Sequence, residues 1–227
     1  QRGFGDCRSL RCVQESPTVA IQHIHGGKAA GAGAPLTEPF PRRSEYDVTN
    51  TVRVSSVDAV REAVEDLFAI ACPGASFDSL WMAFHDFRRL FRGQFDGYVG
   101  CDTLYHDQQH SLDVTLAMAR LLAGYQQSCA VADRLGVERT VTGLVCALFH
   151  DSGYIRRTAE RNRNGAEFTP CHITRGAEFL VSYLPRIGLG TSVAVARQIV
   201  HFTGYEVSFD DIELDDPRDS LVGHLLG

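Results

Sequence analysis

The chain has no apolar run approaching the roughly 18 to 20 residues that a membrane span requires. Its first residues also lack the charged-then-apolar layout of a secretory leader. No CxxC pair occurs among the seven cysteines at positions 7, 12, 72, 101, 129, 146 and 171. An odd, scattered count reads as reduced thiols rather than a disulfide framework, so a cytoplasmic protein making no membrane contact is the expectation. A basic excess is missing as well: 22 Lys and Arg face 28 Asp and Glu, for a net charge of −6. Proteins that wrap duplex nucleic acid carry the opposite balance, so that class of partner is set aside. Convincing period-two alternation is absent too, which argues against β-structure.

What is present divides into two parts. Residues 1–55 contain the small, flexible stretch 26–35 and prolines 35, 39 and 41, and read as a loosely packed arm. His23 and His25, with Cys7 or Cys12, carry the residue types of a metal site, but nothing in their spacing fixes one. From Ser55, read as an N-cap, the pattern becomes helical: Val57, Val60, Val64, Leu67, Phe68 and Ala71 recur at three and four. The segment Cys72-Pro73-Gly74 ends that helix. Phe77, Leu80, Trp81, Phe84, Phe87 and Phe91 form an aromatic stripe on the next, and such a stripe is core. Further helices are predicted over 105–125, 137–151, 170–184 and 192–202, with a last one opening at Pro217. The expected fold is all-α: a compact multi-helix bundle over residues 56–227.

The polar residues of this bundle are unevenly placed. In Tyr105-His106-Asp107-Gln108-Gln109-His110-Ser111-Leu112-Asp113-Val114, a helical reading puts His106, His110 and Asp113 within a sector of roughly 60°. Further on, the apolar run 144–149 delivers His150-Asp151 to a helix end stopped by Gly153. A carboxylate there wants a cation, and imidazole with carboxylate suits a first-row divalent metal. His172 opens a later helix and His201 closes another. Four helix-borne histidines and one helix-end aspartate make a candidate metal pocket. The dipeptide His85-Asp86 lacks the small-apolar lead-in and sits within the aromatic stripe, so it is read as structural.

The order His, His-Asp, His, His on successive helices resembles the HD superfamily of metal-dependent phosphohydrolases. The segment 105–114 is similar to the Tyr-His-Asn-x-x-His-x-x-Asp-Val signature of class I cyclic nucleotide phosphodiesterases, with Asp107 where that family has asparagine. His172-Ile-Thr-Arg-Gly176 and His201-Phe-Thr-Gly-Tyr205 resemble the later histidine segments of two-metal HD enzymes, including the HD-GYP group. Phe202 replaces the second histidine of that group's His-His pair, which disfavours cyclic di-GMP.

The resemblance implies an HD-type bundle holding one or two divalent ions, whether manganese, iron, zinc, magnesium or cobalt. It assigns His110, His150 and Asp151 to a first ion, with Asp151 bridging to a second ion held by His172 and His201. His106 becomes the general acid for the leaving oxygen. The implied activity is hydrolysis of a small phosphate ester, foremost a cyclic nucleotide. Alternatives are a nucleotide phosphatase or (p)ppGpp-type hydrolase, or a non-catalytic module that binds a nucleotide or protein partner. HD enzymes add a second aspartate from a later helix. Asp210, Asp211, Asp215 and Asp216 read as solvated or capping residues and His224 as structural, so the expectation is either that this aspartate lies beyond Gly227 or that the site is incomplete.

Overall fold

The computed structural model describes residues 44–227, which build seven α-helices joined by 3-10 turns, and no β-strand occurs among them. The expected all-α bundle is therefore the fold. The helices are α1 (Val57–Ala71), α2 (Asp78–Phe91), α3 (Gln108–Ser128), α4 (Gly136–Phe149), α5 (His172–Tyr183), α6 (Val193–Ile199) and α7 (Pro217–Leu226). The histidines and cysteines at positions 7, 12, 23 and 25 lie outside the described residues.

The central element is α4. Every residue from Thr140 to Phe149 is buried, and the helix touches α2, α3, α5, α6 and α7. Such all-round burial is what a nearly uninterrupted apolar run demands, since no face of it gains from water. Around α4, the valines and Phe68 of α1 lie against α3, and the aromatic stripe of α2 meets α4 through Phe87 and Phe149, whose rings stand 5.9 Å apart. Asp86 accepts hydrogen bonds from Arg89 and from the Tyr183 hydroxyl, so His85-Asp86 is part of the α2 framework.

Two boundaries differ from the sequence reading. Residues 44–55, assigned there to the arm, belong to the helical body. Val54 is buried in the core, the Gln109 side chain donates to the Ser44 carbonyl, and Arg120 pairs with Asp47 at 2.6 Å. Asp47 also accepts from the amides of Thr51 and Val52, closing a local turn that proline and glycine content did not foretell. The N-cap of α1 is Ser56 rather than Ser55: its hydroxyl accepts from the Ala59 amide.

Candidate metal centre

His106 precedes α3 instead of lying on it. The carboxylate of Asp107 accepts from the His110 amide at 2.9 Å and caps the helix, so helical geometry starts at Gln108. Aspartate satisfies a first-turn amide that would otherwise go unpaired, which gives it a structural reason at this position. The loop 101–106 leads into this cap. There the hydroxyl of Thr103 donates to the His106 carbonyl at 2.6 Å and fixes the loop's return.

Three histidine side chains then meet on one carboxylate oxygen. Asp151 Oδ2 stands 2.8 Å from His106 Nδ1, 3.2 Å from His150 Nε2 and 3.3 Å from His110 Nε2. His150 and Asp151 are buried at the end of α4, whereas His106 and His110 are half-buried. Burial alone would favour protonated Asp151, yet the hydrogen bonds from His106 and His150 win and hold its carboxyl well below the usual carboxylate range. For His150, burial opposes a charge, but hydrogen bonding and attraction to Asp151 outweigh it and raise its pKa. The same negative field that draws a proton to this ring edge draws a metal cation.

Tautomers follow from the partners. His150 Nδ1 lies 2.8 Å from the Ala147 carbonyl, which only accepts, so Nδ1 carries hydrogen; the bond to Asp151 uses Nε2–H, and a cation that displaced this one proton would meet the Nε2 lone pair facing Asp151 and His110. This is the usual arrangement behind a metal-ligating imidazole, whose other nitrogen is tied to a carbonyl. His106 is the reverse case: its Nδ1–H donates to ionised Asp151, leaving Nε2 as its working nitrogen.

His106, His110 and Asp151 present ligand atoms all within 4.8 Å of one another, a group that could hold a metal ion. A second triangle uses His150 in place of His106. Its edges are 3.4 Å (His110 Nε2 to His150 Nε2), 3.3 Å and 3.2 Å. Ligands so spaced subtend about 100° to 110° at an ion placed about 2.1 Å from each, as in tetrahedral to octahedral sites. The His150 triangle is the better ligand set, because the Ala147 carbonyl ties the other nitrogen of the His150 ring, as behind a metal-ligating imidazole.

The remaining predicted residues divide. His172 lines the same cavity of about 360 Å³ as His106, His110, His150 and Asp151. Its Nδ1 is held by the Thr169 carbonyl at 2.8 Å, and its ring centroid lies 6.1 Å from that of His106. His201 does not line this cavity, although Phe202, Thr203, Gly204 and Tyr205 do. It falls in a 3-10 turn (Val200–Thr203), and its Nδ1 is buried without a hydrogen-bond partner among the described residues. Burial lowers its pKa. The acidic segment behaves as capping: Asp216 caps α7, Asp216 and Asp219 both pair with Arg139, and His224 bonds the Ser220 carbonyl.

Three contributors were missed from sequence. Tyr154, in the 3-10 turn Ser152–Tyr154, stacks on His106 and on His172 with ring centroids 4.3 Å away in each case. Glu206 accepts from the Ile173 and Thr174 amides at the start of α5 and lies 3.5 Å from His172 Nδ1. Gly153 lets the turn after Asp151 lie directly on α5: a Cβ there would sit 1.7 Å from the His172 carbonyl oxygen. The glycine was visible as a helix stop, but its packing role was not.

No protein-family model, curated protein or solved structure matches the chain.

Proposed function

We propose that this protein is a metal-dependent phosphohydrolase of the HD type, acting on a small phosphate ester of the nucleotide class and related in activity to cyclic nucleotide phosphodiesterases. The observation that carries this reading is the triangle of His110 Nε2, His150 Nε2 and Asp151 Oδ2, with edges of 3.2 to 3.4 Å. Two imidazole nitrogens and one carboxylate oxygen suit zinc, manganese, iron or cobalt better than an all-oxygen cation site would. One ion bound there would offset the phosphate charge and make water a nucleophile near neutral pH.

The chain's own residues supply the rest. Asp151 orients His106 through Nδ1, so that Nε2 can pass a proton to the departing alkoxide. Tyr154 stacks on the His106 ring and restricts its rotation. Phe202, Tyr205 and Phe209 give the cavity an aromatic side on which the base or another flat part of the substrate can lie. His172 sits where it can bond a phosphate oxygen, and the site is assigned one ion rather than two because His201 lies outside it.

A second reading has its own observation: none of the described acidic residues other than Asp151 joins the histidine group. That favours a module which binds a nucleotide or a protein partner without hydrolysis. Elemental analysis combined with a hydrolysis screen over cyclic and linear nucleotides separates the two. A bound divalent ion with turnover that disappears in His150→Ala supports the enzyme. Nucleotide binding with neither ion nor turnover supports the module.

A further inference from the structure

A second cleft of about 620 Å³ shares no lining residue with the histidine cavity. Arg92, Arg156 and Arg161 line it, and no carboxylate does, in a chain whose net charge is −6. Only one of the three guanidinium groups is ion-paired among the described residues: Arg156 Nη2 lies 3.3 Å from Asp102. Arg156 is further held by the carbonyls of Arg161 and Arg163, which keeps its charge in place. Among the described residues, the Arg161 side chain bonds only the Thr158 carbonyl, at 3.3 Å, and Arg92 makes no ion pair. Part of the wall is bare main chain. Gly93 (φ 69°) approaches Gly100 so closely that a Cβ on Gly93 would meet the Gly100 nitrogen at 2.8 Å.

Asp102 offsets the charge of Arg156, whereas Arg92 and Arg161 bring two further positive charges to the cleft with no ion-pair partner among the described residues, and a bound polyanion can pair with both. Guanidinium groups match phosphate oxygens in both charge and geometry. The cleft volume lies within the range of about 300 to 1,000 Å³ typical of small-ligand sites. We propose that this cleft binds a phosphate-bearing anion of at least two phosphate charges, at a site separate from the histidine centre. Its position gives the ligand a route to that centre. Cys101 lines the cleft, and its Sγ bonds the His106 carbonyl at 3.4 Å and the Thr103 hydroxyl at 3.2 Å. Cys101 thus joins the wall of the cleft to the loop that places His106.

The test uses inorganic pyrophosphate, titrated calorimetrically into the full chain in buffer containing EDTA, so that no cation in the histidine centre attracts it. Saturable binding is expected in the unaltered protein and in His150→Ala. The double variant Arg92→Ala/Arg161→Ala should bind at least about tenfold more weakly, since it removes two charge-assisted contacts. Both arginines are exposed, and a circular dichroism melt checks that the variant folds. A second readout needs no variant: pyrophosphate should slow N-ethylmaleimide alkylation of Cys101, mapped by peptide mass spectrometry, while leaving Cys129 unchanged. Absence of saturable binding, equal affinity in the arginine variant, loss of binding in His150→Ala, or unprotected Cys101 would each overturn the proposal.

Discussion

Replacing Asp151 with asparagine keeps the side chain's shape and removes its charge. In the protein the buried Asp151 Oδ2 serves His106, His110 and His150 at 2.8 to 3.3 Å. A cation held by His110 and His150 would find its only anionic ligand among the described residues in that oxygen. Removing one partner of a buried charge pair costs about 3 to 5 kcal/mol, because the other is left uncompensated. At about 1.4 kcal/mol per tenfold, the divalent-metal Kd should rise by roughly 10² to 10³·⁵. The assay is calorimetric titration of zinc or manganese into EDTA-stripped protein, with elemental analysis of the protein as isolated. The unaltered chain should retain about one equivalent after gel filtration, and Asp151→Asn well below half. A variant that keeps full stoichiometry at unchanged affinity would refute the assignment of Asp151 as a ligand.

Other perturbations should separate the remaining roles. His106→Ala should keep its metal but lose roughly 10² to 10⁴ in turnover, the usual worth of general acid catalysis, and lose less with a nitrophenyl ester whose leaving group needs no proton; loss of metal would make His106 a ligand. Gly153→Ala forces a Cβ to within 1.7 Å of the His172 carbonyl oxygen, so a destabilisation at or above the usual 1 to 3 kcal/mol of overpacking is expected by denaturant melt, and an unchanged midpoint would contradict the packing. For His201, burial sets the folded pKa below the ordinary 6.5. The unfolded chain then takes up a proton that the folded one refuses. Stability from this group is full above about pH 6.5 and is lost as pH falls from there towards the depressed value. His201→Leu should flatten that part of the stability–pH curve, and an identical curve would show that His201 titrates normally.

Much of the fold was legible because burial leaves a periodic trace. The valines of α1, Leu80, Phe84, Phe87 and Phe91 of α2 and the apolar end of α4 mark their buried faces without reference to any partner, whereas Trp81, read into the same stripe, is exposed because it leaves α2 on the solvent side. Residues 44–55 were less legible: their attachment depends on Asp47 and Gln109 bonding across the fold, and such contacts leave no period. The histidine-aspartate cluster was legible where its side chains are anchored to helix ends, at His110 and at His150-Asp151. It was misread where local hydrogen bonding overrides the helical wheel. Asp107 caps α3 and puts His106 outside it, a signal already present in an aspartate placed just before a helical run. His201 falls in a 3-10 turn, where the tighter winding changes the direction in which each successive side chain leaves the backbone. Tyr154 could not have been found from spacing, because its role arises only when α5 folds against the turn after Asp151.

The most direct test of the central claim is a crystal structure of the protein loaded with manganese or zinc, with the ion located by its anomalous scattering. One ion is expected about 2.0 to 2.2 Å from His110 Nε2, His150 Nε2 and Asp151 Oδ2, with His106 outside its ligand shell. An ion bound elsewhere, or one ligated by His106 with His150 turned away, would contradict it.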